Sequence, residues 1–234
     1  MRQTMRFEGS DCVVTGGTGA LGQAVVGALL DAGARVHVPW IAEREVAAFR
    51  HRDRVTMSKV DLADERAIGE FYRGLPGLFA SIHLAGGFAM STVLETSAAD
   101  FEAMWRLNTL TAFLASREAI RAIRRTRPAR GGRIVNVAAR PVVQPVGGMV
   151  AYSTSKAGVA ALTQALAAET VDDGILVNAV LPSIMDTPAN RAAMPGADHA
   201  AWPKVTEVAE TIVFLASPSN AVTSGALVPV YGRA

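Results

Sequence analysis

The sequence of 234 residues predicts a single α/β domain built on a doubly wound parallel sheet. Short runs rich in Val and Ile alternate along the chain with longer segments of helical periodicity, which is the pattern of repeated βαβ units. A glycine-rich turn at residues 15–22 also separates the first of these runs from the first helical segment. Because no repeat, low-complexity tract or long polar linker divides the chain, we interpret residues 1–234 as one domain.

Each strand is predicted from an apolar run that ends at a turn, and each helix from the periodic segment that follows. The predicted strands are Cys12–Thr15, Arg35–Val38, Arg54–Met57, Ser81–Leu84, Arg133–Val137, Leu176–Leu181 and Leu227–Val230. Helices are expected to begin near Ala20, Glu43, Asp64, Ala98, Tyr152 and Val205, and a long helix runs through Asn108 to about Arg125. Pro141–Gly148 and Ser183–Pro203 are predicted loops, which at the carboxyl ends of parallel strands are where ligands bind.

The composition argues against several classes of protein. No apolar run approaches the ~20 residues of a membrane helix, and the polar segment Met1–Ser10 lacks the apolar centre of a signal peptide. We therefore expect a cytoplasmic protein without a membrane partner. The single Cys12 excludes an intrachain disulfide and is interpreted as a buried strand residue, and the four histidines lack metal-ligand spacing, so no metal site is expected.

One basic cluster lies where the long helix should end. Its members are Arg121, Arg124, Arg125, Arg127, Arg130 and Arg133. Cations at a helix C-terminus complement the helix dipole, and the cluster contains no aromatic residue for base stacking. The cluster is interpreted as a solvated helix end, and no nucleic-acid partner is expected.

The glycine-rich turn has the sequence Thr15-Gly16-Gly17-Thr18-Gly19-Ala20-Leu21-Gly22. A pyrophosphate must approach backbone N–H groups at a helix N-terminus, and a Cβ would obstruct that approach. Glycines also serve ordinary turns, but the position after the first strand of a βαβ unit favours dinucleotide binding.

A tyrosine and a lysine, Tyr152 and Lys156, lie four residues apart at the start of a helical segment and therefore share one helix face. A nearby ammonium is expected to lower the phenol pKa from about 10, so that the tyrosine exchanges a proton with substrate near neutral pH. Such a pair is common by chance, and the strand and the glycine-rich turn ahead of it are what favour catalysis.

These motifs, in this order, resemble those of the short-chain dehydrogenase/reductase family over nearly the whole chain. The resemblance implies a Rossmann-like fold, NAD or NADP as cofactor, and a small-molecule substrate. It makes Tyr152 the general acid, Lys156 the ribose-binding residue that depresses the tyrosine pKa, and Asn108 the holder of a water for proton relay. The implied cofactor-binding residues are Thr15, Gly16, Thr18, Gly19, Ala20, Leu21, Gly22, Asp61, Leu62, Ala85, Gly86, Tyr152, Lys156, Pro182 and Thr187.

The sequence departs from the family pattern at four places. Ala20 replaces the middle glycine of the turn, and His83-Leu84 replace the first two residues of the Asn-Asn-Ala-Gly segment. Ala139 stands where the family has its catalytic serine. Trp40 stands where NAD-specific members carry an aspartate, which leaves Glu43 as a ribose contact, Arg44 as a 2′-phosphate contact, or neither. The preference between NAD and NADP stays open.

A closer resemblance, to dihydropteridine reductases, rests on several short stretches. They are Leu181–Arg191 with Met194-Pro195, Ala197-Asp198 and Trp202, and also Gly19–Gly22, Ala85–Phe88 and Met104-Trp105. Those enzymes also tend to carry alanine in place of the serine, whereas Asn108 and Trp40 differ from their pattern. The resemblance implies reduction of a quinonoid dihydropterin. The alternatives are a ketone or 3-oxoacyl thioester reductase and, because of Ala139, a non-catalytic nucleotide-binding sensor or scaffold.

Further expectations concern the pocket walls and the assembly. Phe88, Met149, Met185 and Trp202 are candidate walls of the substrate pocket, and His83 is expected to have a packing role. The resemblance implies a homodimer or homotetramer formed through helices at Asn108–Ile123 and Tyr152–Ala168. The second of these helices is rich in alanine, which allows close helix approach, at Ala157, Ala160, Ala161, Ala165, Ala167 and Ala168.

Overall fold

The structure, a computed structural model, describes residues 6–127 and 131–233. Seven strands form one sheet in which all neighbours pair in parallel. They are β1 (Asp11–Thr15), β2 (Arg35–Trp40), β3 (Thr56–Lys59), β4 (Ala80–His83), β5 (Gly132–Val137), β6 (Ile175–Pro182) and β7 (Leu227–Val230). Their order, β3-β2-β1-β4-β5-β6-β7, places the point where the winding reverses between β1 and β4. The predicted doubly wound sheet is confirmed, and ligands are expected at this crevice.

The helices cover both faces of the sheet. They are α1 (Ala20–Asp31), α2 (Glu43–Ala47), α3 (Glu65–Arg73), α4 (Ala98–Trp105), α5 (Thr111–Thr126), α6 (Val150–Glu169), α7 (Pro188–Ala193) and α8 (Val205–Ala216). A π-helical turn, Arg106–Leu110, joins α4 to α5. Helices α1 and α8 pack on one face, and α3, α5 and α6 pack on the other.

The central strand β1 shows why the sheet needs both layers. Cys12 and Val14 belong to the core under α1 and α8, whereas Val13 belongs to the core under α3 and α5. All three side chains are fully buried, which is the environment that a continuous apolar run predicts for a parallel strand. The expectation that Cys12 is a buried strand residue is confirmed.

Several boundaries differ from the sequence prediction. A 3₁₀ turn occupies Arg52–Arg54, so β3 begins two residues later than predicted, and α6 begins at Val150 instead of Tyr152. The predicted loop Ser183–Pro203 contains α7, which begins with Pro188 after a Thr187 cap. Threonine followed by proline is a helix-start signal, because the hydroxyl caps the first turn and proline needs no N–H partner there.

Arg121, Arg124 and Arg125 lie in the last turns of α5, as predicted, and Arg127 follows them, whereas Arg133 lies in β5. Arg121 pairs with Glu118, and Arg124 pairs with Asp173. Arg130, also predicted as part of the cluster, lies outside the described residues. Among the described residues, no helix has the length and apolarity that spanning a bilayer requires. Over the same ranges, His, Cys, Asp and Glu side chains form no group of three or more able to hold a metal ion.

Candidate active site

The glycine-rich turn lies directly against the segment that follows β4. Gly16 has a φ of +65°, and a Cβ on it would come within 2.7 Å of Ala85 N, so only glycine fits this position. Thr15 Oγ1 accepts a hydrogen bond from Ala85 N at 3.4 Å. Gly19 is the N-cap of α1 and no side chain caps that helix, so its first-turn N–H groups are available to an anion at the positive end of the helix dipole.

A cavity of about 630 Å³ opens beside this turn at the carboxyl ends of β1, β2 and β4. This volume is in the range of small-molecule and cofactor sites. Seven of the predicted cofactor residues line it: Gly16, Thr18, Gly19, Asp61, Leu62, Ala85 and Gly86. The residues present therefore fit a dinucleotide. Thr15, Ala20, Leu21 and Gly22 build the turn without lining the cavity. The remaining predicted cofactor residues also lie outside its lining: Pro182, Thr187, Tyr152 and Lys156.

Tyr152 and Lys156 both lie on α6, and burial shifts their pKa values in opposite directions. The Lys156 ammonium is buried and Nζ donates to Val137 O at 2.8 Å. Burial lowers the pKa of Lys156 to about 8 and raises the pKa of Tyr152 to about 12. The expected lowering of the phenol pKa by the lysine is therefore wrong for this structure, because desolvation disfavours both charged forms.

Asn108 is buried in the π-helical turn, and its side chain is fully engaged. Its Oδ1 accepts from Gly87 N at 2.9 Å, while Nδ2 donates to Gly87 O at 3.1 Å and to Ser155 Oγ at 3.0 Å. A Cβ on Gly86 would lie 2.5 Å from Asn108 Oδ1 and 3.3 Å from Lys156 Nζ. Asn108, Gly86 and Lys156 thus converge, and the asparagine fixes the segment that follows β4.

Ala139 is buried two residues beyond Val137, whose carbonyl binds Lys156. No hydroxyl is present there, and the serines of α6 do not substitute for it. Ser155 Oγ donates to Tyr152 O at 2.8 Å and accepts from Asn108. Ser153 Oγ is buried without a hydrogen-bond partner in the described part of the chain. The site therefore has a less polar side than the family pattern predicts.

The structure divides the four predicted pocket walls into two groups. Phe88 packs its ring against Tyr152, with centroids 4.9 Å apart and an interplanar angle of 82°. Met149 pairs through its backbone with Ser91 and lies at the start of α6, beside the same site. Met185 instead packs on the core under α8, and Trp202 is buried against His199. None of the four lines the cavity beside the glycine-rich turn, and their role as walls of the substrate pocket stays a prediction.

The segment between β6 and α8 is held together by its own side chains. Asp186 forms a two-point ion pair with Arg191, which holds the pKa of that carboxyl below its usual range. Thr187 Oγ1 accepts from Asn190 N at 3.1 Å, and Asn190 Nδ2 donates to Met185 O at 2.8 Å. The Thr187 hydroxyl is thus the cap of α7, and side-chain contacts hold the segment that follows β6 together.

Glu45 is a lining residue that the sequence analysis missed. Glu43, which the sequence offered as a ribose contact, pairs with Lys59, with Lys59 Nζ and Glu43 Oε1 3.2 Å apart. Lys59 in turn lies over the Trp40 ring. Glu45 instead lines the cavity, and its Oε2 accepts from Thr18 Oγ1 at 2.8 Å. The partners are 27 residues apart in the chain, and no local signal in the sequence brings them together.

This combination of a doubly wound sheet, a glycine turn at the first helix and a Tyr-Lys pair on α6 defines a class of nucleotide-dependent oxidoreductases. The profile of the short chain dehydrogenase family matches residues 11–197. The chain therefore belongs to the short-chain dehydrogenase/reductase family, and it is an enzyme of that type that uses NAD or NADP.

Curated relatives and solved structures of this family span the same length. The chain is 30% identical to 2,3-dihydroxy-2,3-dihydro-p-cumate dehydrogenase of Pseudomonas putida, over 99% of this chain and 96% of that protein. It is 28% identical to the cyclic-di-GMP-binding biofilm dispersal mediator protein of Escherichia coli, over 97% of each. A short-chain dehydrogenase/reductase from Serratia marcescens superposes with a TM-score of 0.86 at 28% identity, covering 97% of this chain and 99% of that one.

Proposed function

We propose that this oxidoreductase reduces a flat, conjugated C=N compound of the quinonoid dihydropterin class, with Tyr152 as the proton donor. The observation that carries the proposal is the buried Ala139 at the serine position, in a site that keeps Tyr152 and Lys156. A ketone develops negative charge on oxygen, and loss of one donor to such an oxygen costs about 10²–10³ in rate. Hydride addition to an electron-poor conjugated ring depends less on that donor.

The residues have separate roles in this reaction. The nicotinamide, when bound, supplies the hydride. Tyr152, whose pKa burial raises to about 12, keeps its proton at neutral pH and donates it from Oη to the substrate nitrogen. Lys156 binds the cofactor ribose and, while protonated, stabilises the phenolate that is left. Asn108 holds the segment after β4 in place, and its backbone region is where the implied relay water would bind.

Two features support the substrate class. Phe88 places an aromatic ring beside Tyr152, which suits a flat ring system. The stretch Asp186–Trp202, where the likeness to dihydropteridine reductases is strongest, follows β6 and is held by its own side-chain contacts. Because the polar side chains of this stretch contact one another, the motif supports a backbone conformation shared with those enzymes. The substrate itself requires a direct test.

The test is the initial rate of NADH and NADPH oxidation with a quinonoid dihydropterin. We expect turnover by the wild type and a loss of about 10²-fold or more in Tyr152→Phe, the scale of general acid catalysis, while the variant still binds cofactor. Tyr231→Phe is the matched control, because it removes the same hydroxyl from another tyrosine, one whose ring packs on Arg140 at 5.1 Å. A wild type that binds cofactor without reducing the pterin would contradict the substrate class.

A second candidate is reduction of a ketone or a 3-oxoacyl thioester, or oxidation of the corresponding alcohol. The dehydrogenase named for a dihydroxy-dihydro compound among the relatives favours it. A panel of these substrates with the same two tyrosine variants separates it from the pterin. Turnover of a ketone with none on the pterin would assign this function instead.

A third candidate, from another class, is a nucleotide-binding sensor or scaffold without turnover. Ala139 and the relative named for binding cyclic di-GMP favour it. Calorimetric titration with cyclic di-GMP, alone and in competition with NADH, tests it. Nucleotide binding without turnover on any substrate of the panel would support the sensor.

We also propose a homodimer or homotetramer that works in the cytoplasm. Exposed alanines on α6 and exposed aromatic side chains on α4 and α5, Phe101, Trp105 and Phe113, support association. The need for a pool of NADH or NADPH supports the location, and cell fractionation with an antibody against the chain tests it.

A further inference from the structure

The end of the cavity near β2 carries negative charge. Glu45 and Asp61 both line it there, together with Trp40 and Ile41 at the end of β2. Among the described lining residues the cation is Arg106, which enters from the α4–α5 side beside Leu107. Because β1 separates β2 from β4, this side lies about two strand spacings, or ~10 Å, from the end of β2.

Glu45 is held in place at this end by the glycine-rich turn. Thr18 Oγ1 donates to Oε2 at 2.8 Å, so one carboxylate oxygen is oriented by a residue that also lines the cavity. The other oxygen, Oε1, keeps its acceptor capacity. Glu45 is the third of the five residues of α2. Its two-residue spacing from Glu43 places the two carboxylates on different sides of the helix.

The cation that lies over Trp40, Lys59, is already paired. Lys59 Nζ lies 3.2 Å from Glu43 Oε1 and 5.3 Å from the centre of the Trp40 ring. Its charge is therefore balanced by Glu43, and its position over the indole face adds a cation–π contact. Neither Lys59 nor Arg44, which the sequence offered as a 2′-phosphate contact, lines the cavity. Among the described residues, the wall of the cavity at Glu45 and Asp61 therefore carries two carboxylates and no cation from this side.

We infer that Glu45 is the residue that selects NAD(H) over NADP(H) in this chain, in the role that an acidic residue at Trp40 would otherwise have. This inference rests on the proposed use of a dinucleotide in this cavity. Glu45 Oε1 accepts a hydrogen bond from a hydroxyl of the adenosine ribose, as acidic residues in dinucleotide sites do. A 2′-phosphate would replace that donor by an anion next to a carboxylate, which is repulsive.

The experiment is a direct binding titration that needs no substrate. NADH and NADPH are titrated by their own fluorescence, and ADP and 2′,5′-ADP by calorimetry. We expect the wild type to bind NADH at least tenfold more tightly than NADPH, and ADP more tightly than 2′,5′-ADP by a similar factor. In Glu45→Gln both ratios should fall by about tenfold or more, the scale of one charge contact, because the amide no longer repels the phosphate.

Glu210→Gln is the matched control, since it removes the same charge from an exposed side chain on α8 that does not line the cavity. Its two ratios should stay within about twofold of the wild type. A wild type that prefers NADPH, or Glu45→Gln ratios equal to the wild-type ratios, would overturn the inference and leave the dinucleotide function intact. Absence of binding of all four nucleotides would overturn both. Thermal unfolding of each variant verifies that it is folded.

Discussion

Lys156 carries its amine into the interior of the fold, where Nζ donates to Val137 O and burial lowers the pKa to about 8. The lysine is therefore protonated below pH 8 and loses its charge above it. Tyr152 has a pKa of about 12, so its own ionisation does not change the rate profile at lower pH. We predict that kcat/KM for reduction is level from pH 6 to about 8 and then falls about tenfold per pH unit, because kcat/KM reports the free enzyme.

Lys156→Arg is the matching variant, because its guanidinium stays charged up to pH 12. Its profile should be flat between pH 6 and about 10, at a lower rate that reflects the changed shape. A wild-type profile that is equally flat up to pH 10 would show that the charge on Lys156 is not required for the reaction.

Ala139 offers a second test at the scale of one side chain. The residue is buried beside the strand end that holds Lys156, so Ala139→Ser adds one hydroxyl to the less polar side of the site. We predict that this variant gains about tenfold or more in kcat/KM on ketones, because the added donor stabilises a developing oxyanion. Rates on the dihydropterin should change by less than about threefold. Equal gains on both substrates would mean that the hydroxyl acts on the fold or on the cofactor.

A chain of buried hydrogen bonds joins α3, β4, β5 and α6 beneath the site. Its links are Tyr72–Ser81, Ser81–His83 Nε2, His83 Nδ1–Asn136 Oδ1 and Asn136 Nδ2–Thr163, each between 2.8 and 3.0 Å. Because Asn136 donates to Thr163, its Oδ1 accepts, so His83 carries its proton on Nδ1 and accepts at Nε2. The expected packing role of His83 is thus a polar link between elements, with a neutral imidazole.

Burial lowers the pKa of His83 to about 4, below the 6.5 of an unfolded histidine. The unfolded chain binds more protons between these values, so the stability due to the neutral imidazole is complete above pH 6.5 and is lost as the pH falls towards 4. We predict a loss of about 3 kcal/mol in the free energy of unfolding over this range. Urea unfolding of the wild type and of His83→Asn at pH 7 and pH 4.5 measures it.

The comparison of the two proteins isolates His83. Acidic groups common to both lose the same stability and cancel in the difference, and asparagine can still donate and accept at this position. His83→Asn should therefore be less stable than the wild type at pH 7 and closer to it at pH 4.5. An equal gap at both pH values would show that protonation of His83 does not contribute.

The features that the sequence predicted correctly are those that a few consecutive residues determine. The turn at Gly16 and the Tyr152–Lys156 pair were found because a backbone conformation and a 3.6-residue spacing are visible in a few consecutive residues. The pKa directions of that pair and the Thr18–Glu45 contact were not, because both depend on burial and on approach between distant segments. Helix α7 was missed although its Thr-Pro start was visible, since the segment was assigned as a loop.

The surface of α6 carries the prediction that concerns the whole assembly. The structure divides the six predicted alanines: Ala160 and Ala167 are buried within the subunit, whereas Ala157, Ala161, Ala165 and Ala168 are exposed along one side of the helix. Small side chains let two helices approach closely, and a long cation between them prevents this. We predict that Ala161→Arg shifts the sedimentation coefficient to that of a monomer at micromolar concentration.

Ala47→Arg is the matched control, because Ala47 is an exposed alanine on the separate helix α2 and the change in charge is the same. This variant should sediment like the wild type, as a dimer or tetramer. Because α6 also carries Tyr152 and Lys156, a monomeric Ala161→Arg should lose activity together with assembly, and both should return at protein concentrations that restore the oligomer. A wild type that sediments only as a monomer at micromolar concentration would contradict the predicted assembly, and α6 would then present its alanines to solvent.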